Sequence, residues 1–249
     1  MSSTELAANL ERLNEIFFFG MGQRTSGYLF GSASTGHWVP SRSDLDVLIL
    51  VQEEDLGLLE MRIKDWKSVG GRPILDGFAV FQSGHLVMSK RLEEFSLPAF
   101  PVIKDISLIE LWIIKNRSRH LFGTEFVSHF PEIEISSLRD WANAEIKRMF
   151  GALRSSDIPK LEEGLSGLIW SVSLSARLVM LCRGSVCESK IEALQWLADE
   201  YHEIRDILNL LIADYSKSDQ QKALITSEQS LILRKFCLEI MQKEVVTSR

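Results

Sequence analysis

Two regimes of hydrophobic spacing predict an α/β (α+β) domain with a small mixed sheet over residues 1–133, followed by an all-α helical bundle over residues 134–249. In the first half, β-branched apolar runs alternate with helix-period segments. From Ser136 onward apolar residues recur at helical spacing and no run has strand character. A chain of 249 residues, 45% of them hydrophobic, suits two modest domains with ordinary packed cores.

Taken in order, Leu6, Leu10, Leu13 and Phe17 fall on one helical face, so an amphipathic helix is expected over about residues 4–20, ending near Gly20 and Gly22. Ser26–Phe30 reads as the first strand. Ala33 to Ser43 then forms a short helix and a loop broken by Gly36 and Pro40, with His37 and Trp38 in the loop. Leu45–Val51 is the second strand and Asp55–Ser68 a helix. Gly70-Gly71-Arg72-Pro73 makes a turn, and Ile74–Phe81 is the third strand. Residues 84–104, with Pro98 and Pro101, read as an irregular linker or substrate loop. Asp105–Ser118 is an apolar helix on which Glu110 and Lys115 are expected to face solvent, and His120 reads as a capping or surface residue. Helices near 137–154, 161–183, 188–214 and 219–245 then form the bundle. Its short loops imply antiparallel neighbours.

The chemistry concentrates in YLFGSASTGHWVPSRSDLDVLILV, residues 28 to 51. Successive side chains of a strand point to opposite faces, so Asp44 and Asp46 share one face while Leu45 and Val47 enter the core. Two neighbouring carboxylates repel each other, and hard oxygen ligands at this spacing suit Mg²⁺, which neutralises them and keeps positions for water and phosphate oxygens. Gly31 lets the backbone come close to a phosphate, and Ser32 offers N–H and hydroxyl donors. Asp76 is the one acid in the apolar third strand, where a carboxylate is costly unless something pairs with it.

A net charge of −6 and a pI near 5.5 argue against a broad non-specific nucleic-acid surface and favour a cationic or metal-bound ligand. Cys182, Cys187 and Cys237 lie in apolar helical contexts without metal-ligand spacing, so they are expected to be core thiols. The N-terminus has acids before its apolar run, unlike a secretory signal, and no stretch reaches the length of a membrane span; a cytoplasmic location is expected.

Gly-Ser followed by Asp-x-Asp in an apolar strand resembles the signature of the polymerase-beta-like nucleotidyltransferase superfamily. The order of the parts resembles one branch of it, the aminoglycoside adenylyltransferases that modify streptomycin and spectinomycin, in which a helical bundle follows a minimal catalytic domain. The resemblance rests on LFGSAS, SDLDVLI and Ile74-Leu-Asp-Gly-Phe78, and in the second half on residues 173 to 197, SLSARLVMLCRGSVCESKIEALQWL. It implies that Asp44 and Asp46 bind Mg²⁺, that Asp76 is the catalytic carboxylate, and that Gly31, Ser32, Ser43 and Lys190 meet the nucleotide. The relatives often carry Glu at the place of Asp76. Their acidic and tryptophan contacts to streptomycin have no clear counterparts here, Glu162-Glu163 standing only loosely where the acidic one is expected. Apart from the resemblance, Trp38 in the loop before the acids reads as a packing residue or as a nucleobase or substrate contact, and Glu163 as an attraction for a cation.

The function implied is transfer of AMP from ATP to a hydroxyl of a small cationic acceptor of the aminoglycoside class. Such a protein is expected to work as a monomer with ATP, Mg²⁺ and a small acceptor, without membrane or nucleic-acid partners. The alternatives are a nucleotidyltransferase acting on RNA or protein, of the toxin–antitoxin kind, and an inactive nucleotide-binding module.

Overall fold

The structure, a computed structural model, describes residues 2–21, 25–39, 43, 45–69, 77–82, 85–89, 107–125, 127–130, 132–154, 165–215 and 225–247. The chain divides into two compact units, Met1–Glu132 and Ile133–Arg249.

The first unit is built on a mixed sheet of five strands: β1 (Thr25–Phe30), β2 (Asp46–Gln52), β3 (Gly77–Gln82), β4 (His85–Ser89) and β5 (Arg119–Gly123), in the order β4-β3-β2-β1-β5. β2 and β3 are parallel, joined across α3 (Leu56–Ser68), and all other neighbours are antiparallel. β2 is central, which is why its inner residues form an unbroken buried apolar run. On one face Leu29, Val47, Ile49 and Val51 pack against Leu13 and Phe17 and against Leu59 and Trp66 of α3. Leu13 closes α1 (Ser2–Leu13), and Phe17 lies in the π-helical stretch Asn14–Phe19 that follows it. On the other face the Tyr28 ring lies 5.2 Å from His120 and 5.5 Å from Phe130, and α4 (Leu108–Arg117) packs on β1.

Three expectations for this unit need correction. Residues 85–89, placed in an irregular segment, form β4, because a five-residue run too short to show alternation gains its ladder from β3. His120 is not a cap: it lies in β5, and its Nε2 is 3.2 Å from the buried Ser26 hydroxyl. Lys115 is not solvated either. Its ammonium donates to Val127 O (3.1 Å) and Phe130 O (3.0 Å), lies 3.0 Å from Glu132 Oε1, and its side chain is 14% exposed. Glu110 closes a capping box with Ser107 at the start of α4.

β5 ends at Gly123, whose φ of +79° suits glycine and whose missing Cβ would overlap Thr25 O. Gly123→Ala is therefore expected to lower stability by about 2–3 kcal/mol. A thermal melt would show it, and an unchanged Tm would mean that the strand end relaxes freely.

The second unit is all-helical: α5 (Ile135–Arg154), α6 (Leu165–Cys182), α7 (Lys190–Glu200), α8 (Arg205–Tyr215) and α9 (Ser227–Thr247). The long helix expected over 188–214 is two, separated at Tyr201–Ile204, where Tyr201 turns extended and Arg205 Nε caps Ala198 O at 3.0 Å. A short 3₁₀ turn keeps the apolar spacing running, so periodicity alone does not register the break. The hydroxyls of Ser171, Ser173 and Ser175 return to carbonyls of Leu168, Trp170 and Ser171, which lets Ser173 and Ser175 sit buried in α6.

Arg183, just past α6, gathers the bundle's end. It donates to Glu244 of α9 (2.9 Å), Glu200 of α7 (2.7 Å) and the Tyr201 hydroxyl (2.8 Å), and lies over the Trp196 ring at 5.6 Å. No helix among the described residues is long and apolar enough to cross a membrane.

All three thiols are free, with Cys187 and Cys237 buried and Cys182 partly so. Burial disfavours the thiolate and pushes their pKa up from 9.0, to about 11 for Cys182 and Cys187 and about 12 for Cys237. The folded state therefore holds these protons to higher pH than the unfolded chain does. Their contribution to stability is intact below pH 9 and is lost as pH rises through the folded values. Denaturant midpoints are expected to fall between about pH 9 and pH 12, with little labelling of Cys237 by a thiol reagent at neutral pH; fast labelling of the native protein would contradict this.

Candidate active site

β1 and β2 pair so that Phe30 stands opposite Asp46, at the edge where β1 ends and β2 begins. Immediately after Phe30 the chain turns at Gly31, with φ +65°, into the short helix α2 (Gly31–Ser34). A Cβ built on Gly31 would overlap Asp46 Oδ2 and lie 2.8 Å from Asp46 Cγ, so the carboxylate packs directly over the Gly31 α-carbon. Any side chain at this position would be strained and would displace the acid. Gly31, Ser32 and Asp46 are all partly exposed, so the junction is open to a ligand while β2 behind it is buried.

The turn is held by its own hydroxyls. Gly31 O accepts from Ser34 Oγ (3.0 Å), Thr35 Oγ1 (3.2 Å) and Thr35 N (3.3 Å). His37 N donates to Ser32 O at 2.9 Å, and the exposed His37 ring places Nδ1 3.3 Å from Thr35 Oγ1. Ser43 is buried and closes the loop that leads to the acidic strand: its hydroxyl accepts from Val39 N–H, and its N–H donates to Val39 O, each at 2.9 Å.

Trp38 does not offer its ring to a substrate. It is 7% exposed and packs in the core with Leu29 and Val47, because an indole beside β2 gains more from burial than from solvent; its Nε1 is buried without a hydrogen-bond partner. Asp44, Asp76 and Glu163 lie outside the described residues. Asp76 directly precedes β3, whose Gly77 pairs with Leu48. Among the described residues no group of three or more His, Cys, Asp or Glu is gathered to hold a metal ion. Of the two acids assigned to Mg²⁺, only Asp46 is described; its hard oxygens beside an open backbone turn fit such an ion.

In the second unit Lys190 is exposed and is the first residue of α7, with Ser189 as the N-cap accepting from Glu192 N at 3.0 Å. Next to this helix start lies a cation that sequence reasoning missed. Arg177 Nη2 donates to Glu188 O at 3.1 Å, while its Nε is buried without a partner. A signal was there, since Arg177 is the only charged residue of α6.

Residues 10–98 match the family model described as a nucleotidyltransferase domain. No curated protein matches the sequence. Among solved structures the chain is similar to spectinomycin adenyltransferase AAD(9) from Enterococcus faecialis, crystallised with ATP and spectinomycin. The TM-score is 0.62, 15% of residues are identical, and the match covers 95% of this chain and 99% of that one. At that identity the likeness is one of fold.

Proposed function

Because residues 10–98 match a nucleotidyltransferase domain, we propose that this chain transfers AMP from ATP to a hydroxyl of a small cationic acceptor of the aminoglycoside class and releases pyrophosphate. The observation that carries this reading is the junction of Gly31 and Asp46, which brings a glycine turn at positive φ and the first residue of the acidic strand into contact. The likeness of fold to a protein crystallised with ATP and spectinomycin supports the choice of donor and acceptor class.

Asp44 and Asp46 are the residues that would hold Mg²⁺, which when bound offsets charge on the reacting phosphate and the leaving pyrophosphate. Gly31 and Ser32 take the triphosphate at close range, beside the Asp46 carboxylate that packs against the Gly31 α-carbon. Ser43 keeps the loop before the acids closed. Lys190, exposed at the first position of its helix, supplies positive charge for phosphate oxygens. Asp76 accepts the proton of the attacking hydroxyl as its oxygen bonds to the α-phosphorus and the bond to pyrophosphate breaks. Glu163 attracts the cationic acceptor, in keeping with a net charge of −6. Positioning accounts for most of the acceleration in transfers of this kind.

The test is incubation with ATP, Mg²⁺ and a panel that includes spectinomycin and streptomycin, followed by mass spectrometry. A product heavier by one AMP less water is expected. Normal nucleotide binding without an adduct, or label from ATP appearing in RNA or protein of a lysate instead, would overturn the acceptor class.

A further inference from the structure

From the hydrogen bonds at Gly31 we infer that Thr35, together with Ser34, is a positioning residue that aims the Gly31-Ser32 peptide at the triphosphate. The inference rests on the nucleotidyl-transfer reading and adds to it two residues of this chain's own GSAST run.

A trans peptide is planar, so the Gly31 carbonyl and the Ser32 N–H point in opposite directions, and whatever fixes one fixes the other. The backbone alone holds this carbonyl weakly, through Thr35 N at 3.3 Å. Two hydroxyls supply the remaining restraint, Ser34 Oγ at 3.0 Å and Thr35 Oγ1 at 3.2 Å. Thr35 Oγ1 also lies 3.4 Å from Ser32 O, so it spans both carbonyls of the turn. With its carbonyl held by three donors, the peptide turns its N–H away from α2. Gly31 carries no side chain to cover that side, and the space a Cβ would fill is taken by Asp46. A glycine at positive φ has wide conformational freedom, so without these hydroxyls the peptide would sample other orientations.

Thr35→Val replaces the hydroxyl by a methyl group of similar size, Ser34→Ala removes the other donor, and Thr35→Ser restores the first. Each of the two deletions is expected to raise KM for ATP about three- to tenfold, the worth of one hydrogen bond, with kcat within about twofold. Affinity for adenosine, which lacks phosphates, is expected to change by less than about twofold, and Thr35→Ser to behave as wild type. Unchanged KM in both deletions of a protein that transfers AMP would overturn the inference, as would equal losses for ATP and adenosine. If Thr35→Val melts early, Ser34→Ala decides by the same readings. A wild-type protein that neither binds nor transfers AMP from ATP would remove the underlying reading first, before any variant is made.

Discussion

Asp76→Asn is expected to lower kcat by about 10²–10⁴ while Mg²⁺-ATP affinity stays within a few fold. The substitution keeps the size of the side chain and removes its capacity to take a proton. Asp76 is the one acid of its apolar run and directly precedes β3, whose first paired residue, Gly77, stands opposite Leu48, two residues after Asp46. With Asp44 and Asp46 proposed for the ion, Asp76 is proposed to act on the acceptor hydroxyl. Steady-state kinetics together with calorimetry of Mg²⁺-ATP binding separate the roles. Parallel losses in binding and turnover would make Asp76 a metal ligand, and near-wild-type turnover would return it to a structural part.

Asp46→Asn should behave differently. Its carboxylate lies against the Gly31 α-carbon, and Asn fills the same space, so the packing of the turn is kept while the negative charge is removed. Loss of a hard anionic ligand weakens the ion and the triphosphate together. Mg²⁺-ATP affinity is expected to drop by at least about tenfold and kcat/KM by about 10²–10³. A circular dichroism melt close to that of wild type would exclude unfolding as the cause. Unchanged Mg²⁺-ATP binding in this variant would remove Asp46 from the metal site, whatever the turnover.

The motif itself was readable without coordinates. Gly31-Ser32 and the alternation of Asp46 with Leu45 and Val47 are local features, and both the strand period and the freedom of glycine act over a few residues. The same holds for the helical second half and for Cys237 buried in α9, since the 3.6-residue period reports a buried face directly; Cys187, expected in a helix, is instead buried in the segment before α7, and Cys182 is only partly buried. Polar groups were harder to place. Lys115, spaced as if solvated, is consumed by carbonyls of Val127 and Phe130, partners more than one helix turn beyond its own element. Trp38 looked like a loop aromatic and is core, because its burial depends on what α1, β1 and β2 leave open.

Sequence alone thus determined the class of the fold and the order of its parts, because those depend on spacing along one chain. Tertiary structure decided what pairing across the chain controls. The β1–β2 register brings Asp46 onto Gly31, β4 and β5 become strands by gaining ladders from β3 and β1, and the bundle breaks at Tyr201 despite unbroken periodicity. A hydrogen-bond ladder and a close backbone approach are formed between segments far apart in sequence, and no local pattern encodes which partner a strand edge or a carbonyl will meet.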